Sequence, residues 1–286
     1  METVVKNIYV MDGGKLTVEG STLVPGTNYG VPQTIPVQFF LLETTKGFIL
    51  VDAGNDPDVI TDPIGAWGFD LASASNPDMQ PINHPYEQLK LLGLGADDIK
   101  IVIYTHLHHD HCGGGRYFPD ALHVVQKAEH RWAFQPDSFA RKPYSQKDFR
   151  QPTLRWQLAE GDWCILPGVH LVTTPGHTPG HQSIVLWDTP EAGTVILAGD
   201  AVNCCANIEL DVPPGISSDN SAAVSSLHRL SALAAATDAT MLVSHDAGFF
   251  ARLPKAPEAL RQLPPEVRRF YMTGIQHLYD TAANPD

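Results

Sequence analysis

Short apolar runs, each closed by a polar cluster, recur along this chain. Ile35 to Thr44 (IPVQFFLLET) and Phe48 to Val51 are rich in β-branched and aromatic residues. They predict two strands joined by a turn at Lys46-Gly47, the second running straight into Asp52-Ala-Gly-Asn. Ile99 to Tyr104 (IKIVIY) reads as a buried strand ending at Thr105-His106, and Leu122 to Val125 as another. The second half repeats the pattern in Val169 to Thr173, Ser183 to Trp187, Thr194 to Ala198 and Thr240 to Val243. Tyr86 to Leu94, Lys127 to Phe134 and the Ala- and Leu-rich stretch Ser221 to Ala236 predict helices, and Gly113 to Gly115 a helix or turn. From Asp56 to Pro85 the periodicity is lost among Pro, Gly, Asn and Ser. That predicts an irregular insertion, whose Trp67, Phe69 and Met79 suit a lid or a contact between two copies in a homodimer. The stretch 135–160 reads as helix and loop. Both halves mix strands with helices and no linker parts them. The expectation is one α/β domain over 1–286, two mixed sheets face to face with helices outside.

Composition narrows the class. The chain has 286 residues, 43% of them hydrophobic and 18% charged, as in a soluble globular enzyme. With 32 acidic against 19 basic residues, a nucleic-acid partner is not expected, because phosphate binding needs a basic face. The N-terminus lacks a signal-peptide pattern and no apolar run has the length of a membrane span. The expectation is therefore a cytoplasmic protein without membrane partners. Cys112, Cys164, Cys204 and Cys205 have no framework spacing and read as reduced thiols.

The placement of the 13 histidines carries the chemistry. His106, His108, Asp110 and His111 fall within one short run directly after a buried strand, a donor set suited to borderline-soft divalent metals. In extended backbone His106 and His108 point the same way, and the turn that follows lets Asp110 and His111 face a second ion. So short a run cannot complete two sites. His177, Asp200 and His245 each lie just beyond a short strand, and ligands at strand ends converge on one edge of a sheet. Two ions roughly 3.5–4 Å apart can activate water and polarise a carbonyl at neutral pH.

The HxHxDH run, Thr174-Pro-Gly-His-Thr-Pro-Gly-His181, Gly199-Asp200 and Ser244-His245-Asp246 together resemble the metallo-β-lactamase superfamily. The resemblance implies an αββα sandwich with two divalent ions, zinc first, with iron, manganese or cobalt as alternatives. By that pattern His106, His108 and His177 hold one ion, Asp110, His111 and His245 the other, and Asp200 bridges them. Tyr9-Val-Met-Asp-Gly-Gly14, the hairpin from Ile35 to Asn55 and the run from Gly176 to Ser183 are similar to the N-acyl homoserine lactonases and relatives such as 4-pyridoxolactonase. Class B β-lactamases generally lack the bridging aspartate, so Asp200 tells against a β-lactam substrate.

The resemblance further implies hydrolytic opening of a lactone, an N-acyl homoserine lactone first, with Asp110 relaying a proton to the leaving alkoxide. Another lactone, a small ester or a thioester in the manner of glyoxalase II is the alternative, although the tail after His245 is short for a glutathione-binding region. Diiron relatives carry Glu at the position of His108, which argues against redox chemistry. Where those lactonases have a tyrosine that assists at the substrate carbonyl, this chain has Asn203, a candidate for the same task. Asp52 matches an aspartate that orients a metal-bound histidine, or is a turn carboxylate. His181 is expected as hydrogen-bonded support, His109 at the pocket rim or in solvent, and Cys112 in packing. His84, His123, His130, His170 and His228 are expected to be structural or on the surface.

Overall fold

A computed structural model describes residues 2–264, so the ends of the domain expected over 1–286 and part of the tail after His245 lie outside the described residues. Twelve strands occur among the described residues: β1 (Val5–Glu19), β2 (Pro32–Thr44), β3 (Gly47–Val51), β4 (Pro77–Asp78), β5 (Ile99–Ile103), β6 (Leu122–Gln126), β7 (Arg155–Ala159), β8 (Trp163–Leu166), β9 (Val169–Thr173), β10 (Gln182–Thr189), β11 (Gly193–Leu197) and β12 (Thr240–Leu242). They form a 7-stranded sheet ordered β4-β1-β2-β3-β5-β6-β7 and a 5-stranded sheet ordered β12-β11-β10-β9-β8. Both are mixed: β3, β5, β6 and β7 run parallel, as do β11 and β12, while the other neighbours are antiparallel.

Alternation sorts the side chains into layers. Phe40 and Leu42 of β2, Ile49 and Val51 of β3 and Ile103 of β5 join Val169, Leu171, Ile184 and Leu186 in the core between the sheets. Phe39, Leu41, Leu50 and Val102 point the opposite way. They pack with Leu89, Ala133 and Phe149 from the outer helices Pro85–Lys90, Lys127–Phe134 and Gln146–Phe149. Burial on both faces explains why these strands read as near-continuous apolar runs. On the far side, Leu227, Leu230 and Ala234 form a stripe at helical spacing on the helix Asn220–Thr237, whose Asp219 caps Ala222 N at 3.0 Å. The expected layering, two mixed sheets between helices, is the one observed.

Several expectations need correction. β1 is a long strand that the apolar pattern hides, because register shifts between Val5 and Asn7 and between Asp12 and Lys15 break its alternation. The stretch 135–160 contains β7 as well as helix and loop. The 56–85 segment is not irregular. It contains helices Pro63–Trp67 and Phe69–Ser75 and the strand β4, which pairs with β1. These helices are too short for a periodic signal, and Asp62 Oδ1 starts the first by accepting from Gly65 N at 2.9 Å. Trp67, Leu71 and Met79 from this segment are buried against Leu16, Ile35 and Val37 of β1 and β2, whereas Phe69 is exposed.

His123 on β6 is fully buried. One ring nitrogen lies 2.9 Å from Tyr104 Oη and the other 3.0 Å from Phe118 O, so the neutral ring is satisfied on both sides. Burial drives its pKa from 6.5 down to about 4. The unfolded chain takes up a proton below the higher value and the folded chain only near the lower, so stability is lost as pH falls through that window. His123→Gln keeps a donor for Phe118 O but cannot titrate. Between pH 7.5 and pH 4 the wild type should lose up to roughly 3 kcal/mol more unfolding free energy than the variant. Equal losses, read by urea denaturation, would sink this assignment.

Candidate metal centre

The site lies where strand ends from both sheets meet. After β5 the chain runs through Thr105 and His106 to His108, whose extended backbone (φ −70°, ψ 157°) caps the short helix His109–Cys112. His177 sits in the loop after β9, Asp200 just after β11 and His245 just after β12. Gly176 fixes the approach of the His177 loop. Its φ of 138° is left-handed, and a Cβ there would stand 2.2 Å from Ala223 N at the start of the helix Asn220–Thr237.

All the sequence-predicted ligands converge, and all are buried. Donor atoms within 4.8 Å of one another occur in three groups: His106, His108 and His177; His106, His111 and Asp200; and Asp110, His111 and His245. Asp200 stands between them. Its Oδ2 is 3.4 Å from His177 Nε2 and 3.9 Å from His106 Nε2. Its Oδ1 is 3.1 Å from His111 Nε2 and 3.2 Å from His245 Nε2. Asp110 Oδ2 faces the same two rings, at 3.5 Å from His245 Nε2 and 3.8 Å from His111 Nε2.

The far sides of the rings are occupied, which aims their other nitrogens inwards. His177 Nδ1 donates to Ile216 O at 2.6 Å and His245 Nδ1 to Pro36 O at 3.0 Å. His111 Nδ1 pairs with Asp52 Oδ2 at 2.8 Å, and His106 Nδ1 lies 3.0 Å from Thr105 Oγ1. A histidine held this way turns its free lone pair towards a cation. Among the buried atoms left without a hydrogen-bond partner are His106 Nε2, His111 Nε2 and Asp200 Oδ1, all facing the centre. Orphaned buried acceptors are costly unless something completes them, and a divalent cation fits this donor set.

The electrostatics agree. Burial drives the proton off His106 and His108, whose pKa values lie well below normal, with mutual repulsion among the histidines adding to it. Burial opposes a charge on His111 and His245 too, yet Asp200 and Asp110 raise both, and Asp52 helps at His111. Burial likewise pushes the Asp200 carboxyl up, but His245, His111 and His177 hold it well below the carboxylate range. The cluster therefore offers neutral imidazoles on one side and favours positive charge on the other.

Asp52, at the end of β3, accepts from Thr105 N at 2.7 Å and Thr105 Oγ1 at 2.9 Å besides its contact with His111. That is an orienting position rather than a turn carboxylate alone. His181 Nδ1 lies 2.8 Å from Thr174 Oγ1, behind Gly199, and burial lowers its pKa to about 3. His109 is not in solvent. It is buried, with Nε2 3.1 Å from Ser75 Oγ, Nδ1 3.2 Å from Pro143 O and Trp67 edge-on at 4.6 Å. Ser75 and Trp67 of the folded 56–85 segment cover it, and it lines the cavity that opens onto the cluster, so of the two expected positions the pocket rim is observed and solvent is not. Cys112 is buried in the outer core, as packing requires.

A cavity of about 220 Å³ opens onto the cluster. Its floor holds His108, Asp110, His177, Asp200, His245 and the buried Asn203, and its walls include Leu16, Ile35, Leu71 and Ile216. Trp67 and Phe69, expected to serve a lid or a contact between two copies, are not among its lining residues; Leu71, Ala74 and Ser75 of the same segment are.

Sequence reasoning missed Glu129, Thr178 and Tyr144. Glu129 Oε1 accepts from Leu107 N at 3.0 Å and Tyr144 Oη at 3.2 Å, and its Oε2 from Thr178 Oγ1 at 2.6 Å. Only Thr178 carried a signal, its place beside His177.

The profile of the metallo-beta-lactamase superfamily matches residues 34–245. The N-acyl homoserine lactonase AttM of Rhizobium radiobacter is 35% identical over 257 residues, covering 88% of this chain and 97% of its own. AiiA, the N-acyl homoserine lactonase of Bacillus thuringiensis subsp. kurstaki, is 32% identical over 243 residues, covering 85% and 94%. A solved N-acyl homoserine lactone hydrolase with N-hexanoyl-L-homoserine bound at its catalytic metal center superposes with a TM-score of 0.82. It is 30% identical, over 90% of this chain and 100% of that one. With the sandwich and the convergent His and Asp cluster, these similarities place the chain: it belongs to the metallo-beta-lactamase superfamily and, within it, to the family of the N-acyl homoserine lactonases.

Proposed function

We propose that this chain is a metal-dependent lactonase that hydrolyses N-acyl homoserine lactones. His106, His108 and His177 would hold one divalent ion and Asp110, His111 and His245 a second, with Asp200 placed to serve both. The observation that carries this reading is Asp200, whose two oxygens face different histidine pairs at the floor of an apolar-walled cavity. Zinc is the proposed metal, with iron, manganese or cobalt as substitutes, because imidazole and carboxylate donors suit borderline cations. Such ions supply Lewis acidity, polarising an ester carbonyl and making water acidic at neutral pH.

The chain's own residues supply the rest. Leu16, Ile35, Leu71 and Ile216 offer an acyl chain an apolar wall, while the polar floor receives the ring. Hydrolysis adds the hydroxyl of water to the acyl carbon and its proton to the ring oxygen. Asp110, whose carboxylate faces the cavity, relays that proton. Asn203 lines the same floor, and its main-chain oxygen accepts from His245 N at 2.7 Å. Among the described residues its side chain makes only a long contact, 3.5 Å, accepting from Ser244 Oγ, which leaves the amide N–H free to donate towards a substrate carbonyl.

Turnover on a panel of acyl-homoserine lactones, other lactones, thioesters and β-lactams, with the zinc-loaded protein, tests the reading. The acyl-homoserine lactones are expected to give the highest kcat/KM, and a thioester or β-lactam at the top of the panel would overturn it. On the preferred substrate Asn203→Ala should lower kcat and kcat/KM together, by up to roughly 10²–10³-fold for a lost donor to the developing oxyanion. An unchanged kcat would assign Asn203 to holding His245 N alone.

A further inference from the structure

Two buried carboxylates stand behind the metal-facing cluster, on different sides. Asp52 holds His111 directly and Thr105 beside His106. Glu129, fully buried in the first turn of the helix Lys127–Phe134, touches none of the proposed ligands, yet its donors come from three segments that carry or contact them. Leu107 N lies between His106 and His108 in the chain, and its hydrogen bond to Glu129 fixes the backbone linking those two rings. Thr178 follows His177 directly. Tyr144, the third donor, lays its ring edge-on against His108, with centroids 4.6 Å apart. The backbones are also close: a Cβ at Gly180 would stand 1.9 Å from Glu129 N, so the His177 loop seats directly on the start of this helix.

We infer that Glu129 is a positioning residue for one half of the centre: it clasps the loops of His106, His108 and His177 into a single donor group, while Asp52 serves the His111 side. The inference rests on the two-ion reading above. A buried carboxylate that accepts from a backbone N–H and two hydroxyls needs all of its donors, and each donor is left unsatisfied if the carboxylate is removed. Holding His108 and His177 together keeps His177 Nε2 3.0 Å from His108 Nδ1, a hydrogen-bond distance, and a cation between the rings would take up both lone pairs. A clasp outside the cluster keeps those lone pairs in register for a cation, and without it the two loops drift apart. Loss of an outer hydrogen-bond partner of this kind typically weakens metal binding about 10–100-fold.

Titration of chelator-stripped protein with Co²⁺, followed by visible absorption and elemental analysis, tests this without reference to activity. The wild type is expected to bind in two steps. His177→Ala and His245→Ala assign each step to its donor group. Glu129→Ala should weaken the His177 step roughly 10–100-fold and leave the His245 step within about threefold, with Asp52→Ala doing the reverse. Glu129→Gln retains an acceptor for Leu107 N and Tyr144 Oη and should recover most of the loss. If Glu129→Ala does not fold, Thr178→Val and Tyr144→Phe each remove one strut and should weaken the same step by a smaller factor. Two wild-type steps that respond equally to these variants, or do not respond, overturn the inference and leave the two-ion reading standing. A single wild-type step overturns the two-ion reading and the inference with it.

Discussion

Asp200→Ala is expected to leave at most one equivalent of tightly bound metal and to reduce lactone hydrolysis by far more than 100-fold. The magnitude follows from position. Replacing residues that only orient ligands costs roughly 10–100-fold, and Asp200 stands inside the ring of donors. Its Oδ2 faces His177 and His106 and its Oδ1 faces His111 and His245, so no other side chain among the described residues can take over both contacts. Removing it also leaves several histidines crowded in a buried space without the negative charge that offsets them. Asp200→Asn keeps the shape and loses the charge, so it should retain more metal than the alanine variant and still lose most activity. Elemental analysis beside kcat/KM decides the matter. An Asp200→Ala protein with two metals and wild-type turnover would remove Asp200 from the centre.

Stripping the metal should abolish turnover and lower Tm by roughly 10 °C, and adding zinc back should restore both. A ligand present at about 1,000 times its Kd stabilises the folded state by about 4 kcal/mol, and in a chain of this size each kcal/mol moves Tm by a few degrees. The structure supplies the reason the effect is large. His106 Nε2, His111 Nε2 and Asp200 Oδ1 are buried without hydrogen-bond partners, and a cation that completes them binds the folded chain alone. The comparison needs protein verified as metal-free, scanned with and without zinc at constant pH and salt. Metal-free protein that still hydrolyses lactones, or melts where the loaded protein does, contradicts the metal-centre reading.

The sequence by itself made the layers legible, and with them the residues proposed to hold the metal. β2, β3 and β5 were legible because strands buried on both faces are apolar throughout, and that property is local. The same locality exposed His106, His108, Asp110 and His111 in one run, and His177, Asp200 and His245 at strand ends, since donors fixed to rigid elements must sit where those elements stop. Tertiary structure alone decided the rest. β1 is held by its pairing with β2 and β4, with two register shifts against β2, so its own alternation says little. Trp67 was readable as an aromatic in a polar stretch, but whether it lined the cavity or packed on His109 depended on how two very short helices lie over β1 and β2. Glu129 is the clearest case. An acidic residue in the first turn of a helix is ordinary in sequence. Its role comes from Leu107, 22 positions away, and Thr178, 49 positions away, and no local pattern encodes contacts made at that separation.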